Sequence, residues 1–277
     1  MDTALLFYWL RERQRIYRAR EAGKHAPWTD DPWLRDYAWC NVTRQQDATT
    51  VYLMENWYQY LQTEDLPMAA VVARKIVRLE TLKDVAAVAN NEKLPVIERV
   101  LRKRQRDGHK IFTGAYIGQT RANVDPIDYL MKSLREAEQK IDSLIDESSV
   151  ERTVKQLQTI TSIGAFTANQ IALDLTYTDV LRNAYDVDDY VHVGPGAIKG
   201  INVLYGHDVG QHISQHTALL EVQQLTDVIQ DELGSHDQVF ATYHVADTEH
   251  ALCETYKYYR ATQLGRKPRQ RYRGSHG

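Results

Sequence analysis

Ile160–Gln170, ITSIGAFTANQ, places one glycine between two stretches of helical pattern. A hydrophobic–Gly–hydrophobic–Gly turn joining two short helices aims backbone N–H groups at a phosphate. Glycine suits such a turn because a side chain would block the approach and because the backbone needs a positive φ. Gly164 fills the second glycine position, Ser162 stands where the first would be, and Thr167 and Ala168 are small enough for close packing. The chemistry on offer is phosphate binding by main chain; the alternative is a tight turn inside a helical bundle. A second glycine turn, VGPGAIKGI (Val193–Ile201), carries Gly194, Gly196 and Lys199. It reads either as a nest for another phosphate or as a rigid cap on the helix it opens. Glu249, Cys253 and Lys257 follow at intervals of four, so a carboxylate, a thiol and an amine can share one helix face.

Other chemistries find less support. Cys40 and Cys253 lie far apart and show no metal-ligand spacing, which argues against a disulfide framework, a zinc finger or a four-cysteine iron–sulfur cluster. His212 and His216 are four residues apart with His207 nearby, but no third ligand sits at a standard spacing and H-E-x-x-H is absent, so no metal is expected. The net charge of −3 predicts no polyanion partner, yet the charges are segregated. Arg260, Arg266, Lys267, Arg269, Arg271 and Arg273 form a tail free of acids, and Arg99–Lys110 and Arg11–Lys24 are also basic. Acids gather in Asp142–Glu151 and Asp227–Asp237. Such segregation fits either a one-sided nucleic-acid footprint or ordinary solvated helix faces.

Nearly every element expected to hold these residues is helical. Leu5, Leu6, Trp9 and Ile16 give the first helix an apolar stripe that Gly23 ends, and Thr29 or Asp30 should cap a short helix through Trp33, Leu34 and Tyr37. Further helices are expected over Thr43–Gln62, Leu66–Leu79, Leu82–Ala89, Leu94–Arg106, Ile127–Ile145, Val150–Leu157, Ala165–Leu175, His212–Leu233 and Asp247–Thr262. Asp247 is the expected N-cap of the last, with Glu249 in its first turn. Only His109–Ile117 reads as a strand candidate. With no repeat, no low-complexity linker, no apolar run of membrane length and no signal peptide, the expectation is one all-α domain over residues 1–274, either a single body or two lobes around a cleft. The hairpin falls near 150–176, and Ser275–Gly277 are set aside as a cloning remnant.

The hairpin resembles that of helix-hairpin-helix base-excision glycosylases, in which a catalytic aspartate follows the hairpin. Asp186, Asp188 and Asp189 occupy that region, whereas Phe166 stands where the bifunctional enzymes carry their Schiff-base lysine, so a β-lyase is not expected. Four blocks together are more specific. FYWLRERQRIYRAREAGKHAPWTDDPWLRDYAWCNVTRQQD (Phe7–Asp47), SIGAFTANQIALDLTYTDVLRN, VGPGAIKGI and ADTEHALCETYKYYR (Ala246–Arg260) resemble the α-glutamyl/putrescinyl-thymine pyrophosphorylase family. This is the helical domain associated with 5-hydroxymethyluracil DNA kinases in phage thymidine hypermodification. The resemblance implies an all-α, helix-hairpin-helix glycosylase-like fold. It also implies an amino acid:DNA transferase that replaces the phosphate of 5-phosphomethyl-deoxyuridine with an amine, from an amino acid (glycine favoured) or a polyamine. No G-x-x-x-x-G-K-[ST] occurs, so the phosphorylating kinase is expected to be a separate polypeptide.

The implied partners are double-stranded DNA containing phosphorylated 5-hydroxymethyluracil, a free amino acid or polyamine, and that DNA-base kinase, in the host cytoplasm and away from membranes. The base must leave the stack, and Ser162, Gly164, Ala165, Thr167, Gly194, Gly196 and Lys199 would hold the flanking DNA. Asp188 or Asp189, then Glu249, are the candidate bases, with Asp247 beside them; the alternative is that these acids cap helices. Arg44, Arg182 and Lys257 could hold the leaving phosphate or an amino-acid carboxylate. Trp28 could stack on the base while Asp30 or Asp31 reads its edge, or Trp28 is a core anchor. Cys40 or Cys253 could add to ring carbon 6, or pack. No cofactor is expected beyond a structural cation at the hairpin. The alternatives to a transferase are a DNA glycosylase excising a modified thymine and a non-catalytic DNA-binding module partnering the kinase.

Overall fold

The structure, a computed structural model, describes residues 1–89, 94–113 and 123–272. The chain is all-α: among the described residues there is no strand, only one isolated bridge between Tyr37 and Arg271. Its helices are α1 (Ala4–Glu21), α2 (Pro32–Asp36), α3 (Ala48–Asn56), α4 (Leu66–Ile76), α5 (Leu79–Ala89), α6 (Leu94–Arg106) and α7 (Pro126–Leu144). They continue with α8 (Val150–Leu157), α9 (Ala165–Thr176), α10 (Pro195–Leu204), α11 (Gln215–Leu233), α12 (Gln238–Ala241) and α13 (Val245–Thr262). No helix among the described residues is long and apolar enough to cross a membrane. The chain forms two compact units, one made of Met1–Asp47 with Val191–Gly277, the other of Ala48–Tyr190.

The first unit is built around α13. The stripe Leu6, Trp9, Leu10 and Ile16 of α1 is buried with Ala197 and Ile201 of α10, Val222, Leu225 and Ile229 of α11, and Ala251 and Leu252 of α13. Each such large aliphatic side chain contributes about 1.5–3 kcal/mol by leaving water. Helix α10 lies directly against α13 because glycines face it. A Cβ on Gly200 would collide with the Leu252 carbonyl, and one on Gly196 with the Cys253 sulfur.

The second unit packs α4 against α7 and α9, and α8 against α9. Its core contains Val71, Ile76, Leu130, Leu134, Val154, Ile171 and Leu175. Within it Arg74 of α4 and Asp174 of α9 form a bidentate ion pair. Arg74 Nε lies 2.7 Å from Asp174 Oδ2 and a second bond joins Nη2 to Oδ1. Tyr58 also donates to Asp174 Oδ2 at 3.1 Å.

Several boundaries differ from expectation for local reasons. The helix expected over Thr43–Gln62 is broken into a 3-10 turn (Arg44–Gln46), α3 and a second turn (Tyr58–Tyr60). Asn41 takes its start apart: its N–H donates to Asp47 Oδ1 and its Nδ2 to the Gln46 carbonyl, in place of helical bonds. The cap of α2 is Asp31, which accepts from the Trp33 and Leu34 N–H groups with Pro32 at the first helical position. Thr29 is drawn away to Glu12 and Asp30 is exposed. Helix α4 stops at Ile76 because Val77 is left-handed, at φ 60°, and α5 starts at Leu79. Ser214 caps α11, which therefore begins after His212. The short α12, capped by Asp237, had no sequence counterpart. Helix α13 is preceded by His244, so Asp247 lies inside the first turn and is not its cap. His109–Thr113 is not a strand, and the rest of that candidate lies outside the described residues, as does Arg273.

Candidate functional site

In the first unit, α13 presents Asp247, Glu249, His250, Cys253, Glu254 and Lys257 within three turns. Glu249 is 8% exposed, and its Oε1 accepts the Gly194 N–H at 3.0 Å, at the opening of α10. Burial pushes its carboxyl up to about 7, against the stabilising Gly194 bond and the charge of Arg44. Asp247 Oδ1 accepts the Arg44 N–H at 3.0 Å; burial pushes this carboxyl up to about 6, opposed chiefly by that bond. The start of α10 thus already holds a carboxylate from its own chain, and Gly194 and Gly196 give it close access to α13. Lys199 lies over the Tyr256 ring, 5.7 Å from its centre.

The segment facing this part of α13 is held by Arg13. Its Nε donates to the Cys40 carbonyl at 3.0 Å and its Nη2 to Asn41 Oδ1 at 3.1 Å. The Cys40 N–H in turn donates to Glu254 Oε2 at 3.1 Å. Lys257 donates to the Ala38 carbonyl and to Glu254 Oε2, both at 3.0 Å, and sits 4.4 Å from the centre of the Trp39 ring. Arg44 lies 3.6 Å from Asp47 Oδ2. Burial pushes the Cys253 thiol up to about 12 and the Cys40 thiol well above its ordinary range, so neither is poised as a thiolate to attack a pyrimidine ring.

Asp31, besides capping α2, accepts from the Tyr8 hydroxyl at 3.0 Å and from that of Tyr258. Trp28 Nε1 donates to the Lys24 carbonyl at 2.6 Å. Its ring meets Tyr272 edge-on at 5.9 Å, with the Arg20 guanidinium 5.7 Å from its centre.

The second unit holds the hairpin, α8–turn–α9. Ser162 adopts φ 63°, the left-handed conformation that glycine would take at no cost. Lys75 of α4 braces it, its ammonium donating to the Ser162 carbonyl at 2.8 Å and hydroxyl at 2.6 Å. Burial pushes this ammonium down to about 8. The Thr161 N–H donates to Glu136 Oε2 at 3.0 Å, and Gly164 caps α9, whose first turn holds Ala165 and Thr167. The positive charge at this turn therefore comes from a lysine side chain.

Of the aspartates beyond the hairpin, Asp186 is buried and accepts from Ser149 Oγ, the Val150 N–H and the Glu151 N–H at 2.7–3.0 Å, closing the start of α8. Asp188 and Asp189 are exposed. Arg182 is half exposed and pairs with Asp179 at 3.2 Å.

The structure thus brings Glu249, Asp247, Arg44 and Lys257 to α13 and its neighbours, while Asp188, Asp189 and Arg182 belong to the other unit. Sequence reasoning passed over Arg13, Asn41, Glu254 and Lys75. Arg13 did carry a signal: it continues the stripe Leu6, Trp9, Leu10, Ile16, where a charged side chain must find buried partners.

The family described as "5-hmdU DNA kinase, helical domain" matches residues 2–266. A 5-hmdU DNA kinase of Bacillus phage SP10 is 28% identical over 234 residues, which is 74% of this chain and 36% of that protein. The chain thus spans about a third of the length of this relative. No solved structure matches. The chain belongs to the 5-hmdU DNA kinase helical-domain family.

Proposed function

We propose that the chain is an amino acid:DNA transferase acting on phosphorylated 5-hydroxymethyluracil in phage DNA. Family membership supports the substrate class, since the SP10 relative is named for 5-hmdU in DNA. The observation that carries the chemical reading is Glu249, a buried carboxylate lodged against the Gly194 N–H, with Arg44 contributing positive charge.

In this reading the amine lone pair forms a C–N bond to the 5-methylene carbon. The C–O bond breaks and its electron pair leaves with the phosphate, while the proton shed by the amine passes to Glu249. Arg44 offsets charge on the departing phosphate. Asp247, holding the Arg44 backbone, is a positioning residue for that cation. The hairpin of the second unit supplies the sequence-independent grip. Ser162, Gly164, Ala165 and Thr167 present main chain at the start of α9, where the helix dipole favours a phosphate. Exposed Asp188 and Asp189, which belong to the second unit, are assigned no proton transfer.

The test is to incubate the protein with DNA containing 5-phosphomethyluracil and a mixture of amino acids and polyamines, then digest the DNA and weigh its nucleosides. A nucleoside that has lost phosphate and gained one amine supports the transferase. Free base would replace this reading with a glycosylase. A second reading, a DNA-binding module that serves a kinase, draws on the match to about a third of a kinase chain. It predicts tight DNA binding with unchanged nucleosides.

A further inference from the structure

The loop from Cys40 to Asp47 is folded back on itself by Asn41. That side chain accepts from Arg13 and donates to the Gln46 carbonyl, while the Asn41 N–H donates to Asp47 Oδ1 at 3.3 Å. The fold-back sets Cys40 and Asp47 side by side, and His250, in the second turn of α13, completes the group. One ligand-type atom from each of the three lies within 4.8 Å of the others. His250 Nε2 is buried, has no hydrogen-bond partner among the described residues, and stands 3.9 Å from Asp47 Oδ2.

A buried ring nitrogen without a hydrogen-bond partner is costly unless something else accepts its lone pair. A neutral imidazole with its ring proton on Nδ1 offers that lone pair at Nε2. The donor set is one thiol, one imidazole and one carboxylate.

We propose that Cys40, Asp47 and His250 form a binding site for one divalent transition-metal ion, with zinc the ion their donors suit. Sulfur and imidazole nitrogen select zinc over magnesium or calcium, which take oxygen ligands. A thiolate and a carboxylate together balance the dication, and metal binding releases the cysteine proton to solvent. Three protein ligands leave a fourth tetrahedral position for water or an oxygen of a bound molecule.

The supports of the ligands are in place. Cys40 is fixed through its carbonyl by Arg13 and through its N–H by Glu254, and Asp47 is fixed by Asn41 and Arg44. The Asp47 side chain is 19% exposed, which gives an ion a way in. Because the ligands come from positions 40, 47 and 250, no contiguous motif announces them. The inference concerns metal binding alone and stands independently of the transferase reading.

Cobalt(II) titration of the purified, metal-stripped protein tests it. A cobalt–thiolate bond gives a near-ultraviolet charge-transfer band, and low-symmetry four-coordination gives intense visible bands. The expected result is one cobalt per chain with both signatures, displaced by zinc. Cys40→Ser should abolish the charge-transfer band, whereas Cys253→Ser, on the same helix as His250, should keep it. Asp47→Asn and His250→Gln should each weaken affinity at least about tenfold, the scale on which even outer partners of a metal matter. These two also serve if Cys40→Ser fails to fold, as judged by circular dichroism. The proposal is overturned if folded wild-type protein shows no charge-transfer band, if the band survives Cys40→Ser, or if Cys253→Ser removes it.

Discussion

Glu249 of α13 receives the Gly194 N–H on its Oε1 at 3.0 Å, so the first turn of α10 is closed by a carboxylate from the neighbouring helix. The bond locks two helices whose spacing is set by glycines, while burial, against the pull of this bond, raises the Glu249 carboxyl to about 7. Replacing Glu249 by Gln preserves an acceptor for Gly194 but removes the proton acceptor. Glu249→Gln is expected to melt within a few degrees of the wild type while amine transfer falls by about 100-fold or more. Glu249→Ala should in addition lose about 1–3 kcal/mol, because the buried N–H is then unpaired. Equal loss of stability and activity in both variants would assign Glu249 to structure alone.

The contact between α10 and α13 makes a graded prediction. Gly200 faces backbone, which cannot turn aside, whereas Gly196 faces the Cys253 side chain, which can rotate. Gly200→Ala should cost about 1–3 kcal/mol or more by overpacking, and Gly196→Ala less. Urea denaturation of the two variants measures the order directly; the reverse order would contradict the packing described.

In the second unit, Asp174→Ala leaves the Arg74 guanidinium buried without its bidentate partner. Loss of one half of such a pair costs about 3–5 kcal/mol. Thermal unfolding followed by circular dichroism should show a drop well beyond that of an exposed change such as Asp188→Ala.

Lys75 gives a pH dependence. Its folded-state value of about 8 lies below its ordinary 10.5, so in that window the unfolded chain binds more protons than the folded one. Stability contributed through this group therefore rises as pH goes from 8 towards 10.5. Wild type should gain on Lys75→Met over that range in parallel denaturation series; a constant difference would mean that the ammonium titrates normally.

Helical periodicity and glycine punctuation made most of the fold legible. The stripe of α1, the hairpin around Gly164 and the opening of α10 at Gly194-Pro195 all follow from short-range rules. Caps failed where a tertiary partner competed: Thr29 bonds Glu12, leaving Asp31 to cap α2, and Asp247 serves the Arg44 backbone inside α13. At the candidate site, Glu249 and Arg44 were visible as charged residues in recognisable blocks. The bracing of Ser162 by Lys75, 87 positions away, and the meeting of Cys40, Asp47 and His250 depend on chain folding that no local pattern encodes.

The most direct test of the central claim is a stoichiometry. DNA carrying 5-phosphomethyluracil is incubated with the protein and a nitrogen-15-labelled amino acid. Inorganic phosphate released and label retained in the digested nucleosides are then counted in the same sample. The account predicts one labelled nitrogen fixed for each phosphate released, with no free base. Phosphate released without label, or neither product despite DNA binding, would contradict it.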